Sequence, residues 1–336
     1  MKNLLFSISI FLITFFTFGQ EVPESNATTK SGYKIKVNPE NYLGDKMQLA
    51  YHFSNKQYVV KDALTNSEIL TKRSDGTFVF SGKEPLETGV YMLVFLPKKD
   101  ILEFIVTKKD QHIEIKFNYN KPSQSLVVSG GSNENKLFTD YLNFINLKSK
   151  QASNLVETDL QYNNKLTAIR NDMSNYQEKL FKDNPNSLTT SLVKASIIPE
   201  APKFDEKKSS IQDQTIKFYQ KHFFDNINLG DPRLLRTPIL FDKVNTYIDK
   251  LYVQQPDSII KALDFVLKKM EPAQETFKTF MIYFLNKYAK SKVEGMEMVY
   301  VHLVNEYYAK GKATWIEETQ LKKILQDAAE IEEKNK

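Results

Sequence analysis

The chain has 336 residues, of which 41% are hydrophobic and 26% are charged, a composition ordinary for a folded protein and unlike that of a disordered or polytopic membrane protein. Its length favours two domains with separate cores. The 46 basic and 41 acidic residues give a formal net charge of +5, and because the lysines are scattered among acids, we expect no nucleic-acid partner.

The chain contains no cysteine. It can therefore form no disulfide, thiolate metal site or thiol nucleophile. The sequence also shows no catalytic constellation, metal-ligand cluster or phosphate-binding loop that stands out. It predicts a protein that is not an enzyme and that binds no metal or cofactor.

Residues 1–20 have the organisation of a secretory signal peptide. Lys2 supplies the positive charge, an apolar run follows over residues 4–18, and Thr17 and Gly19 are small residues suited to a cleavage site. This run is shorter than the ~20 residues that span a bilayer, although an uncleaved membrane anchor is the alternative. We expect an exported protein, periplasmic, in the cell envelope or secreted. It should have a flexible terminus over residues 21–31 and no transmembrane segment after cleavage.

Apolar and polar residues alternate from residue 32 to about residue 129, a pattern typical of strands with one buried face. The predicted strands are Tyr33–Val37, Met47–Tyr51, Gln57–Ala63, Thr77–Ser81, Gly89–Leu96 and Ile113–Phe117. Gly89–Leu96 is apolar on both faces, which predicts the central strand, and Gly76 is predicted to adopt a positive φ in a hairpin turn. We expect all pairings to be antiparallel. Residues 32–130 should form an antiparallel β-sandwich or open barrel.

The period of the apolar residues changes to 3.6 after Ser129-Gly130-Gly131-Ser132, which predicts a flexible joint and a domain boundary there. Residues 131–336 are predicted to be an all-α helical domain, either a bundle or a short solenoid, because short loops join helices of similar length. The predicted helices start near Asn133, Ser187, Ser210, Thr237, Pro256, Phe277, Glu294 and Thr314, with a long, interrupted helix ending near Lys182.

We expect the other helices to pack around the stretch from His222 to Pro238. Gly230 is predicted to end one helix in a left-handed conformation, with Asp231 as the N-cap of the next helix and Pro232 at its first position. Thr237 and Pro238 should start a further helix in the same way. Near the end of the chain, Thr314 to Glu317 predicts a capping box.

This stretch also supplies the candidate ligand or partner surface, which consists of Asp231, Arg233, Arg236, Phe223 and Phe224. The arginines have the geometry to bind a carboxylate through two hydrogen bonds, or else to hold helix carbonyls or an acid such as Asp225 or Asp231. The phenylalanines have the chemistry to stack on a sugar, but aromatic residues at helical spacing more often belong to a core.

His302 and Glu306 lie one helical turn apart, as metal ligands do. They lack a third ligand at a recognisable spacing, so a solvated helix face is the favoured interpretation. His52, His112 and His222 are isolated in the sequence. Asp257-Ser258-Ile259 resembles the three-residue O-glycosylation motif of exported Bacteroidetes proteins, although an acid and a serine in a first helical turn also have a capping explanation.

Four segments together resemble a known arrangement. They are residues 81–91 (SGKEPLETGVY), residues 131–142, residues 221–238 and residues 255–260 (QPDSII). They look like two domains of unknown function, a β domain followed by a helical domain, that occur in tandem in exported Bacteroidetes proteins. A thioredoxin-like domain of the peroxiredoxin and thiol-disulfide oxidoreductase class usually follows them. The present sequence ends about where that domain would begin and lacks its Cys-x-x-Cys motif, so the resemblance supplies no catalytic residue.

The resemblance implies a non-catalytic accessory region of an envelope thioredoxin-like system, which positions, dimerises or presents clients to a thioredoxin-like domain in cis or in trans. A homodimer is a further partner that it suggests. The alternative is a stand-alone secreted or periplasmic binding module for a glycan or peptide.

Export with cleavage is directly testable. The intact mass of the protein recovered from the envelope fraction should correspond to loss of about the first 20 residues, because signal peptides run for roughly 15–30 residues. A full-length mass would show that the apolar run is retained as an anchor.

Overall fold

The computed structural model describes residues 32–158, 160–205, 207 and 209–335. The predicted signal peptide and mature terminus lie outside these residues. The chain is α+β in two parts, with strands as far as residue 129 followed by a helical region, which confirms the predicted fold class. A search of the described helices finds none that combines the length and the apolar character needed to cross a membrane.

The strands of the first part form two sheets. Their bounds are β1 Tyr33–Glu40, β2 Lys46–Phe53, β3 Lys56–Val59, β4 Leu70–Thr71, β5 Phe78–Gly82, β6 Gly89–Leu96, β7 Asp100–Val106, β8 His112–Asn118 and β9 Val127–Ser129. One sheet has the order β5-β1-β8-β9, and the other has the order β3-β2-β6-β7, with β4 pairing with β2. Side chains from both sheets form one buried apolar cluster, so this part is a sandwich.

The predicted central strand is correct, since β6 pairs with both β2 and β7 and is buried along nearly its whole length. Gly76 adopts a φ of 83° in the turn before β5, as predicted. The expectation that all strands are antiparallel is wrong for β1 and β8, which pair in parallel from Lys34 opposite His112 onwards. Alternating burial looks the same in either direction, so the sequence pattern does not distinguish the two arrangements.

The helices of the second part follow a short helix between the last two strands. Their bounds are α1 Pro122–Ser125, α2 Glu134–Ser153, α3 Tyr162–Asp183, α4 Leu188–Ser196, α5 Ile211–His222, α6 Leu240–Leu251, α7 Pro256–Met270, α8 Gln274–Ala289, α9 Glu297–Leu303 and α10 Glu318–Lys334. A 3₁₀ turn spans Pro232–Arg236, and a π-helical turn, Val304–Tyr308, continues α9.

Helices α6 to α9 carry most of the apolar core of the helical part, and α10 packs on α9. Each buries the face on which its apolar residues recur at helical spacing. In α7 the fully buried members of this face include Ile259, Leu263, Val266, Leu267 and Met270. Ser258, the middle residue of the segment that resembles an O-glycosylation motif, lies half-buried in the first turn of α7.

The predicted capping box at Thr314 is wrong. Helix α10 begins four residues later, at Glu318, and its N-cap Glu317 makes no side-chain capping bond. The backbone N–H of Ile316 instead donates to the carbonyl of Ala313, which makes a separate turn ahead of the helix. The residue pattern of a capping box is present here, but no helix begins at Thr314, because the chain forms this turn instead.

The joint between the two parts is held by Asp110, a fully buried aspartate in the turn between β7 and β8. Its carboxylate accepts hydrogen bonds from the backbone N–H of Thr107 at 2.8 Å and from the N–H of Ser132 at 2.6 Å. A Cβ added to Gly131 would lie 2.1 Å from the carboxylate. Glycine is therefore needed at this position because the chain passes directly against Asp110.

Helix α2 is joined to both parts by its first two residues. The side chain of Asn135 accepts a hydrogen bond from the N–H of Ile105 at 2.7 Å and donates one to the carbonyl of Ile105 at 2.7 Å, so it occupies the place of a neighbouring strand beside β7. The carboxylate of Glu134 accepts from the N–H groups of Leu188 and Thr189, at the start of α4. Sheet, α2 and α4 are thus connected at one point.

Replacement of Asn135 by alanine should lower the free energy of unfolding by about 3 kcal/mol. Both backbone groups of Ile105 would be left buried without a partner, and each such group costs about 1–3 kcal/mol. Denaturant unfolding of the purified protein measures this change. Asn133→Ala is the matched control, because Asn133 is exposed and makes no capping bond. Equal losses in the two variants would contradict the role given to Asn135.

Candidate functional site

Three of the candidate residues, Asp231, Arg233 and Arg236, lie in a turn that we call the junction turn, residues 231–237. Asp231 is its N-cap, since its carboxylate accepts from the backbone N–H of Arg233 at 3.0 Å, and Pro232 occupies the first position as predicted. Leu234 and Leu235 are almost completely buried. The turn contacts α4, α6 and α8 on one side and strands β2 and β6 on the other, so helices pack around it as predicted.

Arg233 is bound by the acid two residues before it. Its Nε donates to Asp231 Oδ1 at 2.9 Å and its terminal nitrogen to Oδ2 at 2.7 Å, and further donors reach the carbonyl of Asn186 and the hydroxyl of Ser191. The hydrogen bonds to Asp231 raise the pKa of Arg233 above its usual range. The prediction that an arginine here holds a neighbouring acid is confirmed for Arg233, which fastens the junction turn to the start of α4.

Arg236 binds a different partner. Its two terminal nitrogens donate to the carboxylate of Glu275 at 2.7 and 2.9 Å, and its guanidinium lies 5.3 Å from the centre of the Phe53 ring. Burial alone would lower the pKa of Arg236, but the bonds to Glu275 outweigh it and the pKa is raised. The predicted two-bond grip on a carboxylate is present, and the carboxylate belongs to α8 of the same chain.

The sheet approaches the junction turn closely at two backbone positions. The N–H of Ser54, between β2 and β3, donates to the carbonyl of Leu235 at 2.8 Å. A Cβ added to Gly89, the first residue of β6, would lie 2.6 Å from the Cβ of Arg236 and 2.8 Å from its carbonyl oxygen. The absence of a side chain at Gly89 is what allows the central strand to reach the turn.

Phe223 and Phe224 are core residues, with 8% and 7% of their surfaces exposed. Their rings lie at 5.2 Å from each other, and both lie against Tyr247 at 5.8 and 4.7 Å between ring centres. This confirms the alternative that aromatic residues at helical spacing belong to a core. Of the predicted surface, these two are closed to a ligand.

Two predictions about the ends of the junction turn are wrong. Helix α5 ends at His222 and not near Gly230, which has no positive φ and donates its N–H to the side chain of Asn228. Thr237 does not cap α6. Its hydroxyl donates back to the carbonyl of Leu234 at 2.6 Å, so it closes the 3₁₀ turn, and α6 begins at Leu240.

The histidines are less isolated than the sequence suggests. His52 lies 2.9 Å from a carboxylate oxygen of Glu103, and His222 lies 2.7 Å from one of Asp225. The pair of His222 with Asp225 is local. The pair of His52 with Glu103 joins two strands that are far apart in the sequence, so the sequence alone does not show it. His112 is the exception: it is exposed and makes no side-chain hydrogen bond in the part of the chain that the structure describes.

His302 and Glu306 contact different side chains. His302 Nε2 lies 2.9 Å from Asp264 of α7, while Glu306 binds Lys310. Tyr307, in the π-helical turn, donates to the same Asp264 oxygen at 2.8 Å. Burial works to raise the pKa of Asp264, but the bonds from His302 and Tyr307 outweigh it and lower the pKa.

Among the residues described, no group of three or more potential metal ligands occurs. The predicted site residues have partners within the chain. Asp231 and Arg233 bind one another, Arg236 binds Glu275, and the two phenylalanines pack in the core. Their arrangement belongs to an α+β protein in which a charged turn of the helical part packs against the sandwich.

The chain belongs to a family of domains of unknown function, DUF5106, whose model matches residues 161–335, more than half of the chain. The match begins just before α3 and contains the junction turn and every helix from α3 to α10. It does not include the sandwich or α2. No curated protein matches the chain.

Asp231→Ala should lower the free energy of unfolding by about 2–4 kcal/mol. Loss of a cap costs about 1 kcal/mol, and a half-buried Arg233 would also lose its charged hydrogen bonds, which are worth about 1.5–3 kcal/mol. Asp225→Ala is the control, because the exposed pair of Asp225 with His222 should contribute no more than about 1 kcal/mol. Unchanged unfolding of Asp231→Ala with loss of binding to a partner would show instead that the turn is a recognition surface.

Proposed function

We propose that the protein is a non-catalytic accessory region of a thioredoxin-like system in the cell envelope. It holds clients or a thioredoxin-like domain, in cis or in trans, in a fixed orientation. The observation that carries the proposal is the junction turn, which contacts the sandwich through Arg236 against Phe53 and through the hydrogen bond from the N–H of Ser54 to the carbonyl of Leu235. The resemblance of the sequence to tandem domains that precede thioredoxin-like domains supports the same role.

Chemistry restricts what the chain contributes to such a system. Thiol exchange begins with a thiolate, and the chain has no cysteine. A binding region can still accelerate a linked reaction, because it raises the effective concentration of a client near the reactive domain. The gain depends on geometry, and it is lost when the two sites cannot be engaged together.

Two surfaces of the helical part remain open to partners. Leu147 of α2, and Val156 and Leu160 of the segment that connects α2 to α3, are exposed apolar side chains. Helix α10 buries only Ala328 completely and leaves most of its charged residues in solvent. Either surface is available to a homodimer or to a thioredoxin-like domain without disturbance of the junction turn.

The purified mature chain should leave insulin reduction at the level of the reductant alone. Added to an envelope thioredoxin-like protein of the same organism, it should raise kcat/KM for an unfolded disulfide client through a lower KM, with kcat unchanged. Turnover by the chain alone, after contaminating thioredoxins are removed, or an unchanged kcat/KM in the mixture would refute the accessory role.

Arg236→Ala serves as the matched variant in this assay. It removes the contact of the junction turn with Glu275 and Phe53 but leaves the helical core intact, which circular dichroism verifies. If a fixed orientation is what the protein contributes, the gain in kcat/KM should fall in this variant. A full gain with Arg236→Ala would show that the contribution does not depend on this contact.

A further inference from the structure

The outer face of the first sheet carries a shallow depression that the predicted site does not include. Its volume is about 300 Å³ and its lining contains Lys34, Lys36, His112, Glu114, Ser129 and Gly130. The parallel pairing of β1 with β8 creates it, because this register places Lys34 opposite His112 and Lys36 opposite Glu114. An antiparallel arrangement of the same strands would give a different set of neighbours.

The charges in this depression are unbalanced. Glu114 is its one acidic lining residue, and it lies 4.0 Å from the Nζ of Lys36 and 3.6 Å from the Nζ of Lys116, longer than hydrogen bonds. Within the described ranges, Lys34 forms no ion pair and His112 no side-chain hydrogen bond. The fold therefore leaves positive charge here that its own acids do not neutralise.

More lysines surround one end of the depression. The N–H of Lys34 donates to the carbonyl of Gln111, whose side chain bonds to the carbonyls of Thr107 and Leu86, so the segments carrying these residues meet at this end. Lys83, Lys108 and Lys109 lie on these segments, are exposed, and form no ion pair within the part of the chain described. Glu84 and Glu87 are the exposed acids there. The excess of lysine attracts anions to the depression.

We propose that this depression binds an acidic sugar unit, either a uronate or a sugar phosphate. Lys34 and Lys36 pair with the anionic group, while the carboxylate of Glu114 and the hydroxyl of Ser129 bind sugar hydroxyls. The volume is at the lower end of the roughly 300–1,000 Å³ typical of ligand sites, which suits one monosaccharide. This binding site is separate from the accessory role and does not depend on it.

Glu114 decides between a sugar and a simple anion. A carboxylate in the lining of the depression repels phosphate and the phosphates of a nucleic acid, and neither brings the set of vicinal hydroxyl donors that a pyranose offers in return. A sugar hydroxyl donates to it, and charge-assisted bonds of this kind are roughly twice as strong as neutral ones. The combination of two lysines with one acid therefore fits a ligand that carries both an anion and hydroxyls.

Isothermal titration of the mature protein with trigalacturonate and with glucose 1-phosphate tests the proposal and distinguishes the two sources of the anion. Maltotriose and inorganic phosphate are the controls. At least one acidic sugar should bind, maltotriose should not, and inorganic phosphate should bind at least tenfold more weakly. Lys34→Gln and Lys36→Gln should each weaken binding about tenfold, whereas Lys56→Gln, an exposed lysine of β3 in the other sheet, should leave it unchanged.

Glu114→Gln provides the second criterion, since it should strengthen binding of inorganic phosphate while weakening that of the acidic sugar. The proposal is overturned if neither acidic sugar binds, if inorganic phosphate binds as tightly as the acidic sugar that binds, or if Lys56→Gln weakens binding as much as Lys34→Gln. Thermal unfolding confirms that each variant is folded. Lys34→Gln should retain the full gain in the thioredoxin assay, so the two proposals fail independently.

Discussion

The side chain of Arg236, paired with Glu275 and packed against Phe53, is the contact on which the arrangement of the two parts depends. The guanidinium is largely removed from solvent, with 14% of the side chain exposed, and a buried charge of this kind is tolerated only when it is paired. It is paired through two parallel hydrogen bonds, which fix its direction as well as its charge. Because Phe53 lies over the same guanidinium, one side chain is shared by the sheet and the helices.

A second connection between the two parts lies at α2. A single charged contact resists separation but allows rotation about it, whereas Glu134 and Asn135 hold α2 against α4 and β7 at a different point. Two separate points of attachment restrict rotation as well. The proposed accessory role requires this property more than it requires affinity, because effective concentration depends on the geometry of the linked sites.

The elements that the sequence predicted well are those determined by their own burial. Strand Gly89–Leu96, a short and continuous apolar run, and helix Pro256–Met270, with one apolar face, have the predicted bounds. Strand β7 was not predicted, although residues 101–106 are mostly apolar, because Glu103 interrupts the apolar run. The side chain of Glu103 binds His52 two strands away, a contact that no local pattern reveals.

The candidate site was likewise predictable only where its contacts are local in the sequence. The capping of the junction turn by Asp231 and the pairing of Arg233 are local, so residue types within a few positions were sufficient. The partner of Arg236 lies 39 residues away, and the depression on the first sheet depends on a parallel pairing of strands that are far apart in sequence. Both require the tertiary fold, and the sequence offers no equivalent signal for either.

Asn135 also has a consequence for the behaviour of the protein at high concentration. Strand β7 is at the edge of its sheet, and an edge strand with free backbone groups is a template on which another chain can pair. A primary amide has the donor and the acceptor of a backbone peptide. The side chain of Asn135 therefore satisfies the backbone N–H and carbonyl of Ile105 without extending the sheet. A strand from a second molecule meets the side of a helix there instead of an open edge, and edge-to-edge association is blocked at that position.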